Sequence, residues 1–340
     1  MLKRTSLKDI ARMVGVSTAL VSYVLNNKKQ GRIGKEIAQK IRDTATTLQY
    51  RPNQIAKSLK TNKTYTIGLI VSDISNPFSS GLARIIEDEA DQQAYTVIFG
   101  SSDEKIQKSE KLIEALLNRQ VDGLIISPPA GFESQIRELQ KQEVPFVLVD
   151  RYFPGIDTNS ISLDNYRSTY EVVQHLSANG CKTVGMITYD TPLFHLQERT
   201  RGYLEGIASA NLFPGVNLLK ELHVRNDQNE IETAVHQLLS SDPPVDALIF
   251  GTNRLTISAL RYIASLPINV PNDLAIVGFD ETESFDFFYA PLTYVKQPLL
   301  EMGKMAISIL LDDINTNRKT QQAVLSAELV VRQSSVKSKS

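Results

Sequence analysis

Hydrophobic positions divide this chain into a short helical segment and a much longer α/β segment. Within residues 7–26 the apolar side chains recur three or four positions apart, which is the spacing of one helix face. From Tyr65 onward, short apolar runs alternate with amphipathic stretches of helical length. Continuous apolar strands that alternate with helices indicate parallel sheets covered on both faces. The pattern therefore predicts a small helical domain followed by a larger α/β body.

Two short helices near the N-terminus carry start and stop signals. Ser6 and Asp9 have the S-x-x-D spacing of a capping box, so a first helix begins after Ser6, and Gly15 ends it. Ser17 can cap a second helix, from Thr18 to Asn26. Two short helices joined by a glycine-containing turn form the helix-turn-helix unit, whose second helix lies in the major groove of DNA.

The second helix separates into an inner and an outer face. Four apolar residues face the first helix, and the four on the other side are small or able to form hydrogen bonds, which suits a surface pressed against a groove. The inner set is Leu20, Val21, Val24 and Leu25, and the outer set is Thr18, Ala19, Ser22 and Tyr23. A third helix is predicted from about Lys35 to Leu48. Any two-helix corner of a globular protein could show the same pattern, so the pattern alone does not establish DNA binding.

The segment that follows the helices is predicted to be a hinge. Pro52 fixes its entry, and Asn53 can cap one or two helical turns over Gln54–Lys60, which are marginal in isolation. We expect this helix to form when DNA and a second copy of the chain are present, with Leu59 wedged between base steps of the minor groove. A plain linker with Leu59 packed onto the body is the alternative.

Charge is distributed very unevenly along the chain. Residues 1–63 hold 14 of the 37 Lys and Arg residues but 3 of the 38 Asp and Glu residues, a net charge of +11, and the remainder carries −12. A strongly basic module on an acidic body is typical of nucleic-acid binding, and a merely solvated charged face would not concentrate one sign at one end. Lys28, Lys29 and Arg32, in the loop after the second helix, can contact phosphates.

The α/β body contains two consecutive sets of strands and helices, which predicts two lobes. The first set has strands at 65–71, 95–100, 121–127 and 145–150, with helices near 78–93, 105–119 and 132–142. The second set has strands at 183–189, 221–224, 247–251 and 274–279, with helices at 166–179, 197–210, 229–240 and 255–266. A last helix at 299–311 and a last strand at 325–331 are expected to return to the first lobe.

Polar residues follow several of these strands. They are Asp73 and Asn76, the pairs Asp150–Arg151 and Asp164–Asn165, and then Asn253 and Asp280. Ligands of open α/β sheets bind outside the carboxyl ends of the strands, so two lobes with such rims form a cleft for a polar small molecule. Closure of the lobes would be a hinge motion. Simple turn positions for Asp150 and Asp280, and a surface ion pair for Arg199, are the structural alternatives.

Nine segments match those of a known family in the same order over essentially the whole chain. They are residues 7–26, YRPNQIAKSL (50–59), TIGLIVSDISNPF (66–78), VDGLIISP (121–128), VPFVLVDR (144–151), RTRGY (199–203), VPNDLAIVGFD (270–280), PLTYVKQP (291–298) and ELVVRQS (328–334). In these segments the chain resembles the lactose-repressor/galactose-repressor (LacI/GalR) family. The resemblance implies a dimeric transcription regulator, most simply a repressor of a pseudo-palindromic operator. Its hinge helix would bend DNA, and its core would be like that of periplasmic sugar-binding proteins.

The resemblance also implies a domain plan and two sets of site residues. The plan is a helix-turn-helix domain at 1–51, a hinge at 52–64 and an effector-binding core at 65–340, with lobe 1 at 65–164 plus 298–340 and lobe 2 at 165–297. Base contacts fall on Thr18, Ala19 and Tyr23, phosphate contacts on Ser17 and Ser22, and the wedge on Leu59. The DNA-binding set also includes Arg32, Asn53, Ala56, Lys57 and Lys60. The effector-binding set is Phe78, Asp150, Asp164, Arg199, Asn253 and Asp280, whose groups suit sugar hydroxyls and apolar sugar faces.

The chain departs from the family pattern at several positions. Tyr23 stands where the family usually has Arg, and Leu20 where it usually has Thr. Tyr cannot form the bidentate bond by which Arg recognises guanine, so the operator is expected to differ from the usual half-site. Arg254 replaces a customary Asp and Ser79 a common aromatic residue, which leaves the effector open. Gly34 takes the place of a Ser at the start of the third helix, a slightly weaker cap.

Other classes of protein fit the sequence less well. A carbohydrate-binding protein without a regulatory role would not need residues 1–63, and the N-terminus lacks the apolar segment of an export signal, so we expect a cytoplasmic protein. No nucleotide-binding, hydrolase or metal-ligand motif occurs, and His195 is expected to be an ordinary loop histidine, so no enzyme, metal or cofactor is expected. The lone Cys181 is expected to be a buried small hydrophobe.

The effector and the assembly remain open in part. A sugar or sugar derivative is favoured, and a nucleobase or a phosphoprotein corepressor is the alternative. The tail after Arg332 has no heptad repeat, so the chain is expected to form a dimer without a coiled-coil tetramer device, and no membrane association is expected.

Overall fold

The computed structural model describes residues 5–26, 33–50, 63–213, 218–224, 228–316 and 320–337. The chain forms two compact units, Met1–Thr64 and Tyr65–Ser340. In the part that the structure describes, no helix combines the length and the apolar character needed to cross a membrane.

Three helices share one small core in the first unit. They are α1 (Leu7–Val14), α2 (Thr18–Leu25) and α3 (Lys35–Thr47). Each helix contributes a residue with no exposed surface, namely Ile10, Val21 and Ile41. Burial of these side chains at helical spacing is what holds three short helices together, since none is long enough to be stable alone.

The predicted caps of the first unit are confirmed. The backbone N–H of Ser6 donates to Asp9 Oδ2 at 2.9 Å, and the N–H of Asp9 donates back to Ser6 Oγ at 3.4 Å. Gly15 ends α1 with φ +78°, a conformation that glycine adopts without a steric penalty. Ser17 caps α2 by accepting from the N–H of Leu20 at 3.2 Å.

Lobe 1 of the second unit is built on a six-stranded parallel sheet. Its strand order is β11-β5-β4-β3-β1-β2. The strands are β1 (Thr66–Val71), β2 (Thr96–Ser101), β3 (Gly123–Ile126), β4 (Phe146–Val149), β5 (Ser160–Leu163) and β11 (Gln322–Leu325). The helices of this lobe are α4 (Pro77–Gln92), α5 (Ile106–Asn118), α6 (Glu133–Lys141) and α11 (Leu299–Thr316). β3 and β4 are buried along their whole length, as expected of central strands covered on both faces.

Lobe 2 repeats this arrangement. Its sheet has the order β12-β10-β9-β8-β6-β7, in which only the edge strand β12 is antiparallel to its neighbour. The strands are β6 (Val184–Tyr189), β7 (Leu219–Leu222), β8 (Ala247–Phe250), β9 (Ala275–Phe279), β10 (Thr293–Lys296) and β12 (Glu328–Val330). The helices are α7 (Asn165–Ala178), α8 (Phe194–Ser209), α9 (Gln228–Leu239) and α10 (Asn253–Ile263).

The helix pair α7 and α8 is held close by a glycine. A Cβ on Gly202 would lie 2.2 Å from the carbonyl oxygen of Tyr166, so only glycine fits at this crossing. Cys181 lies nearby in the core of lobe 2 with no exposed surface, and its burial raises the pKa of the thiol to about 11, which confirms the buried role expected of it.

Two predictions about the end of the chain are wrong. The single strand expected at 325–331 is two strands, and the second does not return to lobe 1. Val324 pairs with Ser162 of lobe 1, whereas Leu329 pairs with Val295 of lobe 2. The chain crosses between the sheets at residues 326–327, so the segment 298–340 is shared by both lobes.

Two strands were not predicted, and two elements begin earlier than predicted. Strands β5 (SISL) and β10 (TYVK) were not expected, because alternating polar residues hide their burial, although β5 is buried throughout. Strand β7 begins two residues earlier than predicted, at Leu219, and α8 begins three residues earlier, at Phe194.

Candidate functional site

The outer face of α2 is exposed in the first unit. Ser17, Thr18 and Ala19 are exposed, Tyr23 has 36% of its surface exposed, and Ser22 is half-buried. These side chains are short apart from Tyr23, so a groove of DNA can approach the helix backbone closely. The remaining residues predicted for DNA binding lie outside the described part of the chain. They are Arg32, Asn53, Ala56, Lys57, Leu59 and Lys60.

A cavity of about 440 Å³ lies between the two lobes of the second unit. Its wall combines the carboxyl ends of strands with the first turns of α4, α8 and α10, the arrangement in which α/β sheets bind ligands. From lobe 1 the wall includes Ser72, Asp73, Asn76, Glu104 and Arg151, and from lobe 2 it includes Tyr189, His195, Thr252, Asn253 and Arg254.

Asp150 and Asp280 occupy equivalent places in the two lobes. Each directly follows the third strand from the same edge of its sheet, β4 or β9. Each has a left-handed backbone, with φ +69° at Asp150 and +66° at Asp280, and each has 7% of its surface exposed. Non-glycine residues adopt this conformation rarely, and they are enriched at functional sites.

Arg199 is the cation whose charge both carboxyl groups share, although Arg151 lies closer to Asp150. It is 2% exposed, and its charge acts on Asp150 and on Asp280. Nε donates to Asn165 Oδ1 at 2.7 Å, and Nη1 donates to the carbonyl oxygen of Gly251 at 2.7 Å. The guanidinium carbon lies 3.6 Å from the centre of the Phe279 ring. The side chain is therefore fixed on several sides and cannot swing to the surface.

Burial dominates the protonation of this cluster. It raises the pKa of Asp150 to about 6, although Arg151 and Arg199 both favour the charged form. Burial also raises the pKa of Asp280 and lowers the pKa of Arg199. The two carboxyl groups therefore hold their protons more tightly than exposed carboxyl groups do.

Arg151 is a site residue that the predicted effector-binding set lacked. Nη1 and Nη2 donate to the two carboxylate oxygens of Glu104, each at 2.7 Å, and Nη1 also reaches the carbonyl oxygen of Pro128 at 3.3 Å. Nε lies 3.4 Å from Asp150 Oδ2. Arg151 thus joins the buried Asp150 to the cavity wall. Its place directly after Asp150 was the available signal, but its partner Glu104 is 47 residues away.

The loop position expected for His195 is wrong. His195 lies in the first turn of α8, is 8% exposed and lines the cavity. Its Nδ1 has no hydrogen-bond partner among the described residues. Burial, and then the charges of Arg151 and Arg199, lower its pKa well below the ordinary value. The imidazole is therefore neutral near pH 7 and can donate or accept a hydrogen bond.

Two contacts join the lobes across the cavity. Asn253 Nδ2 donates to Asn76 Oδ1 at 2.9 Å, and Arg254 Nη1 lies 3.9 Å from Asp73 Oδ2. Asn76 Oδ1 also accepts from the N–H of Phe78 at the start of α4. Asn253 therefore links the lobes, in addition to lining the cavity.

The six residues predicted for effector binding divide into three groups. Asp150, Arg199 and Asp280 form one buried cluster and are not among the described residues that line the cavity, whereas Asn253 does line it. Phe78 packs into the core of lobe 1 with 8% of its surface exposed. Asp164 accepts from the N–H of Arg167 at 2.9 Å as the N-cap of α7. The structure gives Phe78 and Asp164 packing and capping roles and does not bring either to the cavity wall.

The described residues offer no group of three or more His, Cys, Asp or Glu side chains suited to hold a metal ion. The cluster instead combines carboxyl groups, a guanidinium, amides and a neutral imidazole, which together recognise hydroxyl groups and other polar atoms of an organic ligand.

Comparison with known proteins agrees with this architecture. The family model for bacterial regulatory proteins of the lacI family matches residues 6–53, and that for periplasmic binding protein-like domains matches residues 173–335. Catabolite control protein A of Priestia megaterium is 33% identical over 309 residues, which cover 90% of this chain and 92% of that protein. The transcriptional regulator DegA of Bacillus subtilis is 30% identical over 337 residues, which cover 97% and 98%.

A solved structure has the same fold. The lac repressor dimer bound to operator and the anti-inducer ONPF aligns with a TM-score of 0.85 at 22% identity, and the match covers 98% of this chain and 100% of that chain. The resemblance predicted from the sequence is confirmed, as is the α/β fold with a helix-turn-helix unit. The chain belongs to the lacI family of bacterial regulatory proteins.

Proposed function

We propose that two copies of this chain bind a pseudo-palindromic operator and repress transcription, and that a small polar ligand between the lobes sets their affinity for DNA. The observation that carries this proposal is the placement of Asp150 and Asp280 at equivalent strand ends of the two lobes, with the buried Arg199 beside both. A ligand that engages both lobes binds one lobe arrangement better than another, and only such differential affinity can shift an allosteric equilibrium.

The first unit supplies the DNA contacts. Thr18, Ala19 and Tyr23 contact base edges, with Ser17 and Ser22 on phosphates, because these residues form the outer face of α2. Arg32, Lys57 and Lys60 add phosphate contacts, Asn53 and Ala56 complete the set of DNA-binding residues, and Leu59 enters the minor groove. The net charge of +11 over residues 1–63 favours this arrangement.

The cleft supplies the effector contacts. Asn253, Arg151 and His195 line the cavity, and Arg199, Asp150 and Asp280 fix the inner wall and meet the ligand when the lobes move. A sugar or sugar derivative fits this set, because hydroxyl groups can donate to carboxylates and accept from guanidinium groups. We infer no enzymatic role and place the regulator in the cytoplasm with its DNA.

Salt dependence tests the DNA-binding half. The slope of log K against log[salt] for a DNA duplex should become shallower by about 5 in the variant Arg32→Ala/Lys57→Ala/Lys60→Ala, since the two bound copies lose six phosphate contacts and each contact removes about 0.9. A matched control removes three charges from the body, Lys111→Ala/Arg137→Ala/Lys141→Ala, and should keep the slope. An unchanged slope in the first variant would show that these residues are not at the phosphates.

A ligand screen tests the regulatory half. Sugars, sugar phosphates, purines and nucleosides are tested for a rise in melting temperature of the full chain. A ligand that stabilises the chain should change its DNA affinity by about 5- to 150-fold, and Arg199→Lys should weaken binding of that ligand where the exposed control Arg201→Lys does not. A ligand that binds but leaves the DNA affinity unchanged would make the protein a binding protein without a regulatory role.

A further inference from the structure

One face of α10 forms the outer wall of the inter-lobe cavity. Arg254, Ile257, Ser258 and Arg261 all line the cavity, and their spacing of three, four and seven positions places them on one side of the helix. The two guanidinium groups leave α10 about 10 Å apart along its axis, with Ile257 between them. None of these four residues belongs to the buried cluster of Asp150, Arg199 and Asp280.

The charge of this outer wall is not balanced. Asp73 and Glu104 are the only carboxylates among the described residues that line the cavity, and Glu104 is taken by the bidentate pair with Arg151. Asp73 lies 3.9 Å from Arg254, beyond hydrogen-bond distance, and its other oxygen accepts from Ser75. Within the described part of the chain, Arg261 forms no ion pair. The α10 side of the cavity is therefore left with positive charge.

The dipoles of three helices add to the positive electrostatic potential in the cavity. Three helices begin at the cavity wall, since Asn76, Leu193 and Thr252 are the N-caps of α4, α8 and α10. A helix N-terminus carries about half a positive charge, and α8 begins without a side-chain cap. The neutral His195 next to it, 8% exposed, has a buried Nδ1 without a partner among the described residues. Helix dipoles from both lobes and the Arg side chains thus favour the same sign of ligand.

We propose that the cleft ligand is an anionic polyol, one that carries a phosphate or a carboxylate, and that this group binds Arg254 and Arg261 on α10. The inference rests on the proposed function of the cleft and names the class of its ligand. A guanidinium forms paired hydrogen bonds with phosphate or carboxylate oxygens, so both groups share the required chemistry. The hydroxyl groups of the ligand meet Asn253 and His195, and its carbon skeleton packs on Ile257 and Leu196. The anionic group displaces the weakly held Asp73 from Arg254.

Calorimetry of the full chain with matched sugars tests this class. Each of several hexoses and pentoses is compared with its terminal phosphate ester and its terminal carboxylate at constant ionic strength. At least one anionic member should bind about tenfold or more tightly than its neutral parent. The phosphate and carboxylate arms then show which of the two groups α10 prefers.

Variants of opposite expected sign sharpen the test. Arg254→Gln/Arg261→Gln should weaken binding of the anionic sugar about tenfold or more and weaken binding of the neutral parent far less. Asp73→Asn should strengthen binding of the anionic sugar severalfold, because it removes the competing carboxylate. The control Arg84→Gln/Arg137→Gln removes two charges from other helices of lobe 1 and should change the affinity less than twofold. Both Arg residues of α10 are exposed, so the double variant is expected to fold, which its melting temperature confirms.

A simple anion provides a readout that does not depend on the sugar. Sodium sulfate, compared with sodium chloride at equal ionic strength, should raise the melting temperature of the wild type more than that of Arg254→Gln/Arg261→Gln. An equal shift in both proteins would overturn the proposal. It would also be overturned by a neutral sugar that binds as tightly as its phosphate and carboxylate forms. If that neutral sugar still requires Arg199 and still changes DNA affinity, the proposed regulatory function stands and only the anionic class is wrong.

Discussion

The two lobes share one framework but surround their equivalent carboxyl groups differently. Both sheets have the same strand order, and Asp150 and Asp280 follow equivalent strands with nearly equal φ. Asp280 accepts a hydrogen bond from the neutral Gln297 at 2.7 Å, whereas Asp150 lies 3.4 Å from Arg151, which is already held by Glu104. The repeated fold therefore places Asp150 and Asp280 at equivalent positions, and the neighbouring side chains determine how strongly each carboxyl group is affected by nearby charges.

This difference separates the roles of the lobes. On the lobe 1 side, charged groups surround Asp150, so a ligand or a proton there perturbs a network that reaches the cavity through Arg151. On the lobe 2 side, Asp280 also feels the charge of Arg199, but its hydrogen bonds come from the neutral amide of Gln297 and the backbone of Asn253. We infer that lobe 2 presents a fixed surface to the ligand and that lobe 1 carries the charge-sensitive side. The following predictions test that contrast.

Removal of the cation shared by both lobes should have the largest effect. Arg199→Met leaves the carboxyl groups of Asp150 and Asp280 buried without their nearest common positive charge. It also leaves Asn165 and the carbonyl oxygen of Gly251 without their donor, so the free energy of unfolding should fall by about 3–5 kcal/mol. Urea unfolding of the full chain, followed by circular dichroism, measures the loss.

Arg201→Met on the same helix is the matched control. Arg201 pairs with Glu198 and Glu205, and 48% of its side chain is exposed. Exposed ion pairs contribute about 1 kcal/mol or less, so this variant should remain close to the wild type. Equal losses in the two variants would show that Arg199 acts as an ordinary helix-surface residue, the alternative considered from the sequence.

A smaller effect is expected from the titration of Asp150. Its pKa is raised to about 6 in the folded protein, mainly by burial, from an ordinary value of 3.8, so the folded chain binds this proton more tightly than the unfolded chain. The resulting stability is fully present below about pH 4 and is lost as the pH rises through about 6. Asp150→Asn lacks this contribution. The stability of the wild type relative to the variant should therefore fall by about 2 kcal/mol between pH 4 and pH 7.

Unfolding at several pH values checks the sign as well as the size of this change. Asp88→Asn serves as the control, because Asp88 is 51% exposed on α4 and its ion pair with Arg84 contributes little. A wild type that gains stability relative to Asp150→Asn as the pH rises would mean that Arg151 and Arg199 outweigh burial at this site. The carboxyl groups of the two lobes would then differ in how strongly they pair with cations, and not in how much their burial raises the pKa.

The parts of this molecule that local chemistry determines were predictable from the sequence. The capping box of Ser6 and Asp9 lies within one turn, and the cap at Ser17 reaches only to Leu20, so spacing alone reveals both. Asp150 and Asp280 were found because they end strands of buried apolar residues. These signals need no knowledge of which elements meet in three dimensions.

The parts that depend on tertiary contacts were not predictable in the same way. The pairing of Arg151 with Glu104 joins residues 47 positions apart, and the bond between Asn76 and Asn253 joins residues 177 apart. The final strand changes sheets because Leu329 pairs across to Val295, which its hydrophobic pattern does not show. The aromatic ring of Phe78 could stack on a sugar, but its position in the first turn of α4 directs the ring into the core of lobe 1.

The smallest expected effect concerns the hydrogen bond between Asn253 and Asn76, which joins the two lobes across the cavity. Asn76→Ser removes the acceptor for Asn253 but retains a side chain that can cap α4, and Asn253→Ala removes the donor. If this bond links the lobes, the two substitutions should not be additive. The double variant should be about 1 kcal/mol more stable than the sum of the single losses predicts. Asn76→Ser combined with Asn179→Ala, at the C-terminal end of α7, should be additive within about 0.5 kcal/mol. Additivity in the first pair as well would mean that the hydrogen bond adds no net stability. The pair of Arg254 and Asp73 would then be the contact that stabilises the association of lobe 2 with lobe 1.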